Sequence, residues 1–114
     1  MVADYIPDIG DVIWLTLDPT KGHEQQGRRP FLVLTPSAYN DKTSLAVGCP
    51  VTNEAKGYPF EVAIAGARSA TGVVLADQVK SVDWRSRHAE LLGRIDAKTL
   101  QRIRGFIKRL LSIA

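Results

Sequence analysis

The chain is poor in the residues that most enzymes and most secreted domains depend on. It has one cysteine, Cys49, in 114 residues. No intramolecular disulfide is therefore available, which fits a reducing, cytoplasmic setting, and a single cysteine in an apolar strand pattern reads as a small buried hydrophobe. There are two histidines, His23 and His88, in unrelated segments, and no Cys/His spacing suits zinc. Carboxylates are scattered and form no set spaced for two metals. A glycine-rich phosphate loop ending in Lys-Ser or Lys-Thr is missing. No apolar run approaches the roughly 18 residues of a membrane span, and Met1-Val2-Ala3-Asp4 carries neither a basic start nor an apolar signal core. These absences set aside P-loop, zinc and two-metal chemistry and leave no metal or cofactor to expect.

What is present is an ordinary globular composition, 45% apolar and 24% charged, long enough for one domain that buries roughly 60–70% of its unfolded surface. The net charge of +3 is small, but its distribution is uneven: residues 80–109 hold nine Lys/Arg against three Asp/Glu. A basic C-terminal third suits an anionic partner, either nucleic acid or an acidic protein segment, and equally suits a solvated helix face.

Short apolar or alternating runs predict strands over 12–17, 31–34, 45–51, 58–64, 72–75 and 78–82, with a turn or single helical turn at 37–41. Pro50 places an edge or bulge within the third strand. Strands this short, broken by Gly, Pro and Asn, suit a small barrel. Asp96 opens a helix whose apolar positions, Leu100, Ile103, Ile107, Leu110 and Leu111, share one face with Phe106 beside them. Gly105 costs that helix roughly 1 kcal/mol relative to alanine, which suggests a close neighbour there.

Between the first two strands lies Pro19-Thr20-Lys21-Gly22-His23-Glu24-Gln25-Gln26-Gly27-Arg28-Arg29-Pro30. Loops this long in small domains are usually functional or disordered. Pro30 biases Arg29 to an extended backbone, so that its guanidinium stands at a strand mouth, able to offer two parallel hydrogen bonds to a phosphate. On its own the loop reads equally well as a solvated hairpin with a Glu24–Arg29 surface pair.

Four segments taken together are more specific. Gly22-His23-Glu24-Gln25, Arg29-Pro30, Lys56-Gly57-Tyr58-Pro59-Phe60-Glu61-Val62 and Ala76-Asp77-Gln78-Val79-Lys80-Ser81 resemble the MazF/PemK family, the ribonuclease toxins of bacterial toxin–antitoxin pairs, and most closely its MazF branch. The resemblance covers nearly the whole chain and implies a single toxin domain over 1–114. It also implies a mainly β fold with short helices: an SH3-like small β-barrel with a C-terminal helix, assembled as a homodimer.

The activity it implies is sequence-specific, metal-independent cleavage of single-stranded RNA. RNA carries its own nucleophile, the 2′-hydroxyl, so the protein need only align it, move protons and stabilise charge. The products would be a 2′,3′-cyclic phosphate and a 5′-hydroxyl. Arg29 and Thr52 match the family's catalytic positions. Arg29 would hold the non-bridging oxygens, and Thr52 would add a hydroxyl donor. Glu24 is the candidate base, or a carboxylate that only orients Arg29, since an arginine with a pKa above about 12 is a poor base.

Lys21, Gln25, Arg28, Asn53, Lys56, Tyr58, Asp77 and Gln78 are candidates to contact RNA, the cations through its backbone and the amides and carboxylate through base edges. His23 falls on the rim. Trp14 and Trp84 could both stack bases, with core packing the stronger expectation for Trp14. The implied partners are single-stranded RNA and a cognate MazE-like antitoxin with an acidic C-terminal tail, with DNA reached only through the antitoxin complex and no membrane. Two other readings stay open: a gyrase-poisoning toxin of the CcdB type, and a non-catalytic SH3-like binding module.

Overall fold

The fold is built on a bent strand with three hydrogen-bonded neighbours. A computed structural model describes residues 5–16, 27–64 and 72–113. The strands are β1 (Asp11–Thr16), β2 (Arg28–Val33), β3 (Leu45–Thr52), β4 (Glu61–Ala63), β5 (Val73–Leu75), β6 (Lys80–Asp83) and β7 (Glu90–Arg94), and the helices are α1 (Ser37–Thr43) and α2 (Ala97–Leu110). The sheet runs β4-β5-β3-β2-β1-β7, with β6 also paired to β3. Every pairing is antiparallel. The result is the expected mainly β, barrel-like sheet with a C-terminal helix, although among the described residues it does not close.

The bend in β3 follows from its residues. Its first half pairs with β6, Leu45↔Asp83 through Gly48↔Lys80, and its end pairs with β5, Val51↔Val74 and Thr52↔Val73. Pro50, which lacks an N–H, falls in the gap between those two ladders, where no bond on that edge is needed. At Gly48 the chain passes so close to β2 that a Cβ would stand 1.8 Å from the Leu32 carbonyl oxygen.

The start of β1, Asp11–Ile13, and the second half of β2, Phe31-Leu32-Val33, are buried on both faces, as that continuous apolar run requires. Val12 and Leu32 point into one cluster with Cys49, Val51, Val62, Val74 and Ile103 of α2. Ile13, Leu15, Phe31 and Val33 point the other way, onto Ala46 and Trp84. Burial pushes the Cys49 thiol up to about 12, with a smaller contribution from the Asp77 charge, consistent with a packing role. Helix α2 starts where expected: Asp96 Oδ1 accepts from the Thr99 amide at 2.8 Å, and hydrogen bonding from the Thr99 side chain, with that amide bond second, holds the Asp96 carboxyl below its usual range.

Several expectations need correction. The fourth strand is shorter than 58–64 because Tyr58-Pro59-Phe60 turns, with the Glu61 amide donating to the Tyr58 carbonyl at 3.1 Å. The segment after Pro36, expected as a turn or a single helical turn over 37–41, is a helix of seven residues, Ser37–Thr43. β7 went unanticipated. Gly105 has no tight neighbour; a Cβ there meets only Arg109 Nη1, at 3.8 Å. Of the helix stripe, Ile103 is buried, Leu100 and Ile107 are half-buried, and Leu110 and Leu111 are exposed.

Two buried polar side chains fasten the segment from Tyr5 to Pro7 to the rest of the fold. Asp11 accepts from the Tyr5 hydroxyl at 2.6 Å and from Arg94 Nε at 2.9 Å; burial and this carboxylate hold the Tyr5 phenol well above its ordinary value. Asn40 donates to the Pro7 and Thr35 carbonyls, at 2.8 and 2.9 Å, and accepts from the Thr35 hydroxyl at 2.6 Å. Among the described residues no helix is long and apolar enough to cross a membrane. Asn40→Ala removes a partner from the buried Pro7 carbonyl and from the part-buried Thr35 carbonyl and hydroxyl, and urea denaturation should show a loss of about 2–4 kcal/mol; a change below about 1 kcal/mol would mean the loop rearranges to satisfy them.

Candidate functional site

Antiparallel register decides which side chains meet. The last β2–β3 ladder pair is Phe31↔Pro50. Carried one pleat further along both strands, the same register sets Arg29 opposite Thr52. The period-two alternation of strands sends both to the face that carries Phe31. The two residues, 23 positions apart in the chain, line one cavity of about 900 Å³.

The cavity wall is cationic. Arg28, Arg29, Lys80 and Arg87 line it, and Glu54 is the one carboxylate among the described residues that do so. Arg28 lies with its guanidinium carbon 4.3 Å from the centre of the Trp14 ring, a cation–π contact that orients the fork along the wall. Arg29 is exposed, and its Nη1 donates to the Arg28 carbonyl at 3.0 Å. Arg87 reaches in from the turn after β6. Its Nη1 donates to the Thr16 carbonyl at 3.1 Å, and its own carbonyl accepts from the Thr16 amide at 2.9 Å, which pins that turn to the end of β1. Four cations around one concavity make a site for a polyanion.

Thr52 is half-buried, and its Oγ1 accepts from the Glu54 amide at 3.1 Å. A hydroxyl used as acceptor keeps its own proton for donation, so Thr52 can act as a neutral donor toward an anion beside Arg29. Its placement depends on Gly72. That residue has φ +107° and precedes the Thr52↔Val73 pair; a Cβ on it would stand 2.4 Å from the Thr52 carbonyl oxygen and 2.7 Å from Asn53 Oδ1.

Of the sequence-derived candidates, Arg28, Arg29, Thr52 and Asn53 come together in this cavity. Lys56, Tyr58 and Gln78 line a second, smaller cleft that shares Thr52, Glu54 and Leu75 with it. Asp77 is exposed and lines neither. Glu24, Lys21, Gln25 and His23 lie outside the described residues. Among the described residues no three His, Cys, Asp or Glu side chains gather as a metal site.

The two tryptophans exchange places relative to expectation. Trp84 is core, 5% exposed, with its indole N–H donating to the Asn40 carbonyl at 3.0 Å. Trp14 is half-buried and lines the cavity under Arg28. Its position two residues from Val12 and opposite Pro30 puts it on the face that is core at one end of β1 and open at the other. Glu54, Lys80 and Arg87 were not anticipated; Lys80 and Arg87 belong to the basic C-terminal third, and only the fold shows which of those cations turn inward.

A family model described as PemK-like, MazF-like toxin of type II toxin-antitoxin system matches residues 8–111. The chain is 50% identical over 111 residues to the endoribonuclease toxin MazF of Escherichia coli K12, covering 97% of this chain and 99% of that protein. It is 41% identical over 105 residues to the endoribonuclease PemK of Escherichia coli, covering 88% and 79%. Among solved structures, a MazE-MazF crystal structure from Deinococcus radiodurans superimposes with a TM-score of 0.86 at 48% identity, covering 97% of this chain and 100% of that one. A mycobacterial endoribonuclease bound to its cognate antitoxin shares the fold at a TM-score of 0.73 and 22% identity, over 95% and 97%.

Gly72→Ala adds both a close contact and an unfavourable φ. It should lower stability by about 1–3 kcal/mol and move the backbone resonances of Thr52, Asn53 and Glu54. Gly105→Ala, the control, should gain roughly 1 kcal/mol and leave them in place. Unchanged resonances at Thr52 in Gly72→Ala would remove Gly72 from the site's architecture.

Proposed function

The chain belongs to the PemK-like, MazF-like toxin family, and on that premise we propose that it is a single-domain endoribonuclease toxin over 1–114 that cuts single-stranded mRNA at specific sequences in the cytoplasm and arrests growth. The observation that carries this reading is the meeting of Arg29 and Thr52 in a cavity walled by four cations. A gyrase-poisoning toxin or a binding module needs no such pairing.

Each group has a task that its chemistry suits. Arg28, Lys80 and Arg87 hold the RNA backbone, and Arg29 and Thr52 grip the non-bridging oxygens of the scissile phosphate. The 2′-hydroxyl attacks phosphorus as its proton leaves, the bond from phosphorus to the 5′-oxygen breaks, and that oxygen takes up a proton. The ends formed are a 2′,3′-cyclic phosphate and a 5′-hydroxyl, and no metal is required. Negative charge that builds on the phosphate oxygens meets Arg29 and the Thr52 hydroxyl, which are held in place before the reaction begins. Glu24 either takes the 2′-proton or orients Arg29. In the first case Glu24→Gln loses the acidic limb of the pH–rate profile; in the second it keeps the profile and loses rate modestly.

The same charge supports regulation by a partner. An acidic, MazE-like antitoxin tail laid across the cavity would neutralise Arg28, Arg29, Lys80 and Arg87 and exclude RNA. The exposed Leu110, Leu111 and Ile113 at the end of α2 support a homodimer, since large apolar side chains grouped at a surface suit a protein contact.

Arg29→Ala should cut the cleavage rate of a short unstructured RNA by about 10²–10³-fold. Thr52→Val, which keeps the shape and removes the hydroxyl, should slow cleavage with little change in melting temperature. An oligonucleotide with a 2′-deoxy sugar at the cleaved position should bind and remain intact. Wild-type rates from Arg29→Ala would overturn the assignment of this cavity as the site of cleavage.

A further inference from the structure

The outward side of α2 carries charge that the rest of the described fold does not use. Lys98, Arg102, Arg104, Lys108 and Arg109 are all exposed, and Ala97–Leu110 contains no acid. The ion pairs among the described residues are Arg85–Asp41 and Arg94–Asp11, so none of the five is held in one. Asp96, the neighbouring carboxyl, is engaged in capping the helix. The helix packs through Ile103 onto the Val12–Leu32 cluster and lines neither the cavity nor the smaller cleft beside it. Its cations therefore form a surface of their own.

This arrangement does not serve the helix. Lys98 with Arg102 and Arg104 with Lys108 are like charges one turn apart, a spacing that destabilises a helix. Lys98 also lies in the first turn, where a cation opposes the helix dipole. At 3.6 residues per turn, Lys98, Arg102 and Arg109 fall within about 40° of one another, in a row roughly 16 Å long. Gln101, Lys108 and Arg104 extend that row to one side. Gly105 lies near the middle of the arc, where a Cβ would meet only Arg109 Nη1 at 3.8 Å. Nothing inside the protein requires a glycine there, and its absent side chain leaves the backbone open to a ligand lying on the cations.

We propose that this face of α2 is a second, sequence-independent RNA-binding surface, which holds the phosphate backbone of the strand flanking the cleaved site. The inference rests on the ribonuclease reading for the identity of that strand. Inside the arc the helix carries no large apolar side chain. A protein partner would find no anchor there, whereas a phosphate backbone needs only charge. Leu110 and Leu111 continue the core-facing stripe instead, so a contact between copies through them leaves the cations open. At no less than about 3.4 Å per nucleotide, roughly a dozen flanking nucleotides match the longest extent of the protein, 40 Å. An RNA seated in the cavity can thus reach α2 when its flanks are long and cannot when they are short.

Binding of single-stranded RNA made uncleavable by a 2′-deoxy sugar at the cut site tests this. Two lengths share the site: one that just fills the cavity, and one extended by at least roughly a dozen nucleotides on each side. The four-site variant carries Lys98→Gln, Arg102→Gln, Lys108→Gln and Arg109→Gln. Between about 50 and 200 mM salt, its Kd for the long RNA should rise roughly 20- to 50-fold less than the wild-type Kd, the difference made by about three or four single-strand phosphate contacts. Its Kd for the short RNA and its kcat on a cleavable short RNA should match wild type. Its melting temperature should rise, because the like-charge pairs are gone. Arg102→Lys with Arg109→Lys should keep the wild-type salt dependence, since charge alone carries the contact. Equal salt dependence of wild type and the four-site variant on the long RNA would overturn the surface. So would a variant that binds long RNA normally and loses an acidic antitoxin peptide, which would assign the helix to the protein partner. Wild-type protein that binds the long RNA with the steep salt dependence but cuts no cleavable RNA would overturn the ribonuclease reading and leave the surface standing.

Discussion

Strand β3 cannot run straight, and the site exists because it does not. Leu45–Gly48 pairs with β6 while Val51–Thr52 pairs with β5. Gly48, the last residue of the first ladder, lies so close to β2 that a side chain there would collide with the Leu32 carbonyl, and between the ladders Pro50 offers no N–H to either neighbour. β2 stays paired through Phe31 and then leaves the β3 ladder. The β2–β3 ladder ends at Phe31↔Pro50, and its register carried past that end puts Arg29 and Thr52 on one face, where both line the cavity. The packed faces of β1 and β2 hold that register, because a slip of one residue would exchange Val12 and Leu32 with Ile13, Phe31 and Val33.

The electrostatics follow from the same frame. Cations drawn from distant parts of the chain, Arg28 and Arg29 at the start of β2, Lys80 at the start of β6 and Arg87 in the turn beyond it, converge because β6 and β2 flank β3 and the turn is fastened to Thr16. Repulsion among them is an energetic cost to the empty protein. An anionic ligand relieves it, so under the proposed function the same wall would meet both RNA and an acidic tail.

Local chemistry made some of this legible in the sequence. Asp96 and the apolar spacing after it marked α2, the run Phe31-Leu32-Val33 marked a buried strand, and the resemblance to the toxin family, rather than local chemistry, brought Arg29 and Thr52 forward. Other features depend on long-range pairing. β7 is exposed along much of its length, and Glu90-Leu91-Leu92-Gly93-Arg94 has neither clean alternation nor a continuous apolar run. The roles of Trp14 and Trp84 turn on which end of a strand face is covered, something composition does not encode. Arg87 was visible only as a member of a basic segment whose other cations lie largely on α2, and Lys80, though part of the motif Ala76-Asp77-Gln78-Val79-Lys80-Ser81, was given no role in the site. Glu24, Lys21 and Gln25, the candidates of the loop between β1 and β2, rest on the motif alone.

The central claim is that the substrate supplies the nucleophile and this cavity supplies only alignment, proton transfer and charge. The chemistry of the product ends tests it most directly. Purified protein incubated with unstructured RNA in excess EDTA, with the fragments read by mass spectrometry, should yield 2′,3′-cyclic phosphate and 5′-hydroxyl termini at an undiminished rate. Fragments with 5′-phosphate ends, or cleavage that stops in EDTA and returns with Mg²⁺, would contradict the account.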